Sequence, residues 1–222
     1  MREPVAWEHL GRRAYRESLA VQEARWQARR NGAEDVCLAV EHPPTITFGL
    51  RATLADLLVS PAVLEARGIA CAISDRGGGA TYHGPGQLVL YPVVGLAARA
   101  FGVRAFVSAL EEIMIEIAAA FGVRAGRDAR GRGVWTARGK LGAVGIRVRD
   151  GIATHGLALN VNPDLTAFRT IAPCSVPGLP VTSLAREGSG SATIDAVLPL
   201  AEGVATRLLQ SAAPRVPEEV FP

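Results

Sequence analysis

The chain predicts an α/β domain with a mixed sheet, on three observations. Strand-like apolar runs outnumber helix-like ones. Two of the runs are joined by a hairpin, which a doubly wound parallel sheet would not contain. No internal repeat or long linker divides the 222 residues, so residues 1–222 read as a single domain, with a loose tail from about Pro214.

In order, residues 9–30 read as an amphipathic helix stopped by Asn31-Gly32. Residues 36–41 read as a buried strand, broken by His42-Pro43-Pro44 and resumed over 45–49. Thr53 and Asp56 have capping-box spacing, and Pro61 can open a short helix that Gly68 stops. Residues 69–74 form a strand. A glycine-rich turn at Gly77-Gly78-Gly79 and a second turn at Gly84-Pro85-Gly86 then flank Thr81, Tyr82 and His83, placing them at the rim of a sheet. Residues 87–94 return as a strand, and 103–121 make the longest helix. The Arg- and Gly-rich stretch 122–139 allows short strands near Val123 and Trp135, where Gly131-x-Gly133 is too weak to count as a motif. Residues 182–184 can cap a short helix, and 193–209 form the last one.

Asp150-Gly151 is the hairpin signal. A two-residue turn there sets Arg149 opposite Ile152, Ala143 opposite Ala158, Gly145 opposite Gly156 and Lys140 opposite Val161. Paired small residues in a sheet mark a place where something approaches the backbone closely.

Composition narrows the function. The chain is 49% hydrophobic and 20% charged, with formal net charge +3 and pI about 9.0. That suits an acidic partner. Aromatics are 5% and no basic run is interleaved with them, which argues against nucleic acid. No apolar run approaches the roughly 20 residues that span a bilayer, and the charged start is unlike a signal peptide. The expected setting is therefore cytoplasmic, with no membrane. Three cysteines argue against a disulfide framework. Cys37 and Cys71 read as buried strand positions, and Cys174 alone sits in a loop-forming context, Pro173-Cys174-Ser175. No spacing suggests a metal or a phosphate loop.

One residue type stands out. Of 24 basic side chains, 23 are arginine and one, Lys140, is lysine. Arginine is effectively never deprotonated in a protein, whereas lysine can act as a base. A tunable base and a loop thiol are the parts of covalent acyl transfer, although a lone lysine can also survive by chance in an arginine-biased chain.

Several motifs then resemble one family. Arg76-Gly77-Gly78 with Thr81-Tyr82-His83-Gly84-Pro85-Gly86-Gln87, then Gly139-Lys140, Gly145-Ile146, His155-Gly156-Leu157-Ala158-Leu159-Asn160-Val161 and Pro173-Cys174 are similar to the octanoyltransferases of lipoate biosynthesis. The upstream Glu41-His42-x-Pro44 also fits, and the likeness runs over residues 36–184. The resemblance implies a fold like the biotin and lipoate protein ligase catalytic domain. It implies an octanoyl group passed from acyl carrier protein, through a cysteine thioester, to a lysine of a lipoyl domain. Acceptors would be the lipoyl domains of 2-oxoacid dehydrogenases and the glycine cleavage H protein. No cofactor is implied. By motif position the nucleophile falls on Cys174 and the base on Lys140. The acyl-binding residues fall on Arg76, Gly77, Gly78, Gly79, Ala80, Thr81, Tyr82 and His83, on Ala143, Val144 and Gly145, and on Gly156, Leu157 and Ala158. Ser175 departs from the family's glycine, and Gly142-Ala143 from a more alanine-rich pair. The competing readings are an ATP-dependent lipoate ligase on the same fold and an acyl-binding module without turnover.

Overall fold

A computed structural model describes residues 5–173 and 176–210. It forms two mixed sheets. The elements run β1 (Ala6–Arg12), α1 (Tyr15–Arg30), β2 (Val36–Glu41), β3 (Thr45–Phe48), α2 (Pro61–Ala66), β4 (Ala70–Ile73), β5 (Ala80–His83), β6 (Gln87–Gly95), α3 (Val103–Ala120), β7 (Gly126–Asp128), β8 (Gly131–Trp135), β9 (Lys140–Arg149), β10 (Ile152–Asn160) and α4 (Ile194–Gln210). The large sheet has strand order β1-β2-β6-β10-β9-β8-β7, and the small sheet β4-β3-β5. In each, one strand pair is parallel and the rest antiparallel.

The large sheet is covered on both faces, which is why its central strands are apolar without a break. In β2, Cys37 and Ala39 face the α3/α4 side, where they join Phe106, Leu110, Ile113, Ile117 and Leu209. Val36, Leu38 and Val40 face α1, with Trp26, Val89, Tyr91 and Ala158. Helix α3 drives most of the first core. Phe106, Leu110, Ile113, Met114 and Ile117 recur every three or four residues and are fully buried, each contributing about 1.5–3 kcal/mol. The small sheet has its own core of Ile46, Leu64, Tyr82, Phe168 and Ile171.

The hairpin forms in the register the sequence sets. Ile152 pairs with Arg149, Gly156 with Gly145 and Ala158 with Ala143. Asp150 and Gly151 have φ of 52° and 74°, the left-handed pair that a tight hairpin turn requires. The capping-box carboxylate is also present: Asp56 accepts from the Thr53 N–H at 3.0 Å.

Five local expectations are corrected. Residues 9–12 belong to β1, which pairs with β2, and the first helix begins at Tyr15. Gly11 at φ 61° cannot continue a helix, and the ladder to β2 supplies the backbone partners instead. Lys140 does not face Val161: the register with β10 ends at Gly142–Leu159, and Lys140 bridges Val181 and Trp135. Cys71 is exposed because β4 is an edge strand with a wet face. Residues 184–188 form turns rather than a short helix, and the strand expected near Val123 begins at Gly126. The tail from Pro214 and the residues Cys174 and Ser175 lie outside the described residues.

Candidate active site

The large sheet and the small sheet meet over a cavity of ≈ 420 Å³, within the range of about 300–1,000 Å³ usual for small-molecule sites. Its floor is the α1-side face of β6, β9 and β10, with Val89, Tyr91, Ala143, Gly145, Gly156 and Ala158. The roof is the glycine-rich turn, Gly77, Gly78 and Gly79, with Ala80 and Thr81. The two are tied together where the Gly77 N–H donates to the Ile146 carbonyl at 2.9 Å. Close approach requires glycine here: a Cβ on Gly145 would stand 2.9 Å from the Gly77 carbonyl oxygen.

Of the residues predicted from sequence, Arg76, Gly77, Gly78, Gly79, Ala80, Thr81, His83, Lys140, Ala143, Val144, Gly145, Gly156, Leu157 and Ala158 all line this one cavity. Tyr82 does not. Alternation along β5 turns it into the small-sheet core, where it meets Phe168 edge-on with ring centroids 5.3 Å apart. Cys174 lies outside the described residues, and its neighbours Pro173 and Val176 line the cavity.

Polar groups are fixed behind the apolar floor. Arg76 is buried and donates through Nη2 to the Thr47 carbonyl at 2.7 Å and hydroxyl at 2.8 Å. Gln87 Nε2 donates to the Tyr82 carbonyl and to Asn160 Oδ1, so its Oε1 accepts from His83 Nδ1 at 2.7 Å. This bond keeps a proton on His83 Nδ1. Burial, with the charges of His42 and Arg76 behind it, holds its pKa well below the ordinary value. His42 donates from Nδ1 to the Arg13 carbonyl and accepts from Tyr91 through Nε2, both at 2.8 Å, and burial lowers its pKa. His155 has φ 56° and donates from Nε2 to Asp75 at 2.7 Å. Burial lowers the His155 pKa against the raising effect of Asp75. Tyr15 stacks on His83 with centroids 6.0 Å apart and donates to Ser74 at 2.7 Å.

Lys140 opens β9 at the cavity wall and is 7% exposed. Its N–H donates to the Pro180 carbonyl at 2.8 Å, and its carbonyl accepts from Thr182 at 3.0 Å. The irregular segment that follows residues 174–175 therefore runs beside the lysine, bridging it at Val181. Glu187 holds that junction, accepting from the hydroxyls of Thr136 at 2.9 Å and Thr182 at 2.6 Å. Among the described residues no group of His, Cys, Asp or Glu could hold a metal ion. A slot of this shape, apolar beneath and hydrogen-bonding at one end, suits a medium acyl chain with a carbonyl head.

Gln87, Tyr91, Asn160 and Phe168 also line the cavity, though the sequence did not assign them to the site. All four stand in or beside the motifs singled out, and the pairing of Gln87 with Asn160 across β6 and β10 was the missed signal.

Residues 14–202 match the lipoyl protein ligase A/B catalytic domain. The chain belongs to this family. An octanoyltransferase of Desulfotalea psychrophila is 46% identical over 182 residues, covering 80% of this chain and 82% of its own. A mitochondrial octanoyltransferase of Arabidopsis thaliana is 40% identical over 218 residues, 96% of this chain and 90% of its own. Among solved structures, a lipoate-protein ligase A bound with ATP superposes with TM-score 0.77 at 19% identity, covering 93% of this chain and 86% of that one. A biotin protein ligase of Aquifex aeolicus with biotin and ATP gives 0.56 at 13% identity, over 92% and 70%. At these identities the structural likeness is one of fold, and it agrees with the mixed-sheet α/β domain described above.

Proposed function

We propose that the chain performs octanoyl transfer in protein lipoylation through a covalent intermediate on Cys174. The observation that carries this reading is the gathering of the family's acyl-binding motifs and Lys140 around one cavity, flanked by Pro173 and Val176. The donor is octanoyl-acyl carrier protein, and the acceptors are lipoyl domains, including those of 2-oxoacid dehydrogenases and the H protein. A cytoplasmic setting belongs to the same proposal. Within the described residues, no helix is long and apolar enough to cross a membrane.

Lys140 takes the thiol proton of Cys174. The sulfur forms a bond to the octanoyl carbonyl carbon, and the carbon–sulfur bond to the carrier breaks. The carrier thiolate leaves with the proton from Lys140. Backbone N–H groups of the glycine-rich turn are candidates to steady the oxyanion. The amine of the acceptor lysine then bonds to the same carbon, Lys140 accepts its proton, and Cys174 is released. The thioester supplies the driving force, so no nucleotide is consumed.

Intact mass measurement after incubation with octanoyl-acyl carrier protein tests the scheme. The expected result is a shift of one octanoyl group, retained in Cys37→Ala and Cys71→Ala and lost in Cys174→Ala together with transfer. Full activity in Cys174→Ala, or equal use of free octanoate with ATP, overturns it.

A further inference from the structure

The Arg- and Gly-rich stretch 122–139 contains β8, the short strand expected near Trp135, which lies beside Lys140 and shapes the space that the lysine occupies. The register between β8 and β9 shifts at Val134/Trp135, so Trp135 pairs with Lys140 while Val134 pairs with Gly142. Lys140 Nζ lies over the Trp135 ring, 5.2 Å from its centroid. The indole is itself fixed. It is buried, and its Nε1 donates to the Gly131 carbonyl at 2.8 Å. Beneath the lysine, Gly133 leaves room for the alkyl stem: a Cβ there would stand 2.8 Å from Lys140 Cε and 2.3 Å from the Gly142 carbonyl oxygen. Gly133 also has φ 108°, and its N–H donates to the buried Glu111 carboxylate at 2.9 Å.

We infer that Trp135 is a positioning residue for Lys140, its indole face being the surface that holds the ε-amino group at the cavity wall. An ammonium over an indole is attracted by the ring's negative face, and tryptophan is the strongest aromatic partner. A flexible four-carbon stem samples many rotamers unless contacts select among them. Gly133 leaves the path for the stem, and Trp135 offers the face over which the nitrogen lies. The inference rests on the reading of Lys140 as the base. It adds that the base is placed by a side chain outside the acyl-binding motifs.

The sequence makes the test direct, because Lys140 is the sole lysine. Protein labelled with ¹³C-lysine gives one ε-methylene cross-peak, shifted upfield where it lies over an indole. Two variants of similar bulk separate the ring from its volume: Trp135→Phe keeps a π face, and Trp135→Met fills the gap without one. In Trp135→Met the cross-peak moves to the position of an unshielded lysine. Turnover falls about tenfold, as a lost cation–π contact of this class predicts, while KM for a small uncharged octanoyl thioester stays within about twofold; that donor is used because the Arg130 guanidinium at the cavity mouth also lies over this ring, 4.5 Å from its centroid. Trp135→Phe retains turnover within about threefold. Biosynthetic replacement of the tryptophans by a ring-fluorinated analogue preserves shape and weakens the negative face, so it lowers turnover in the same direction. Parental turnover in Trp135→Met, or a cross-peak unmoved by that substitution, overturns the inference. Lys140→Met is the separate control. If it turns over normally, the reading of Lys140 as the base fails, whereas the cross-peak in the Trp135 variants still reports whether the indole holds the amine.

Discussion

Lys140 is held at both ends. Both its backbone N–H and its carbonyl bond to the Pro180–Thr182 segment, and its ε-amino group rests over Trp135. A guanidinium could accept the same clamp and keep the charge, yet it cannot give up a proton. Lys140→Arg therefore separates counter-ion from base. Alkylation of Cys174 by iodoacetamide is expected to persist at neutral pH, because a fixed cation still favours the thiolate. Transfer to the acceptor amine is expected to drop by roughly 10²–10⁴. Paired alkylation and turnover assays read the two effects, and turnover within a few-fold of the parent would reduce Lys140 to a charge.

At the scale of elements, the site depends on the glycine-rich turn lying flat on the β9–β10 hairpin. Gly145→Ala puts a methyl group 2.9 Å from the Gly77 carbonyl oxygen and 3.3 Å from Arg76 Cδ. Backbone cannot move aside as a flexible side chain can, so the roof must lift. Overpacking of this kind costs about 1–3 kcal/mol. We expect a lower melting temperature and a slower rise of the acyl-enzyme mass, and an unchanged acylation rate would show that the contact is not needed. The hairpin itself was legible in sequence, because Asp150-Gly151 fixes the turn and a two-residue period then fixes every partner. The path of β8 was not legible. Short strands with glycine at every other position carry no apolar alternation, and their placement depends on Glu111 from α3 reaching the Gly133 N–H. Residues 9–12 misled for a related reason: as part of a strand at the sheet edge they bury little, so no stripe distinguishes them from a helix. The role of Tyr82 was hidden by alternation, since it stands inside the motif that lines the cavity yet points away from it.

At the scale of the molecule, two predictions concern charge. Three buried histidines, His42, His83 and His155, have pKa values lowered by burial. Above about pH 6.5 both folded and unfolded chains hold them neutral. Below that pH the unfolded chain takes up protons that the folded one resists, so stability falls as pH drops from about 6.5 towards the depressed folded values, by about 1.4 kcal/mol per pH unit for each such proton. Urea melts between pH 7.5 and 5 should show this decline, and His83→Gln should flatten it. An unchanged slope would mean His83 is protonated in the folded state too. The second prediction concerns the cavity mouth, where Arg51, Arg130 and Arg132 are exposed. If they meet an acidic carrier, added salt raises KM for the carrier-bound donor by screening. A small uncharged octanoyl thioester should respond much less, and equal responses would remove the role of the rim.

The confinement of the chain's single ε-amine to the cavity wall has a consequence for the protein as a bystander to its own chemistry. On the proposed scheme, an enzyme that joins octanoyl groups to lysines works at close quarters with an activated thioester. Every other permanently charged basic side chain here is arginine, whose delocalised guanidinium is a poor nucleophile at neutral pH. The outer surface thus offers the thioester no lysine to modify, and one molecule of the enzyme is a poor target for the next. Amine-directed reagents meet the same surface. Apart from an α-amino group, the only amine they can find is Lys140 at the cavity wall, among 23 arginines.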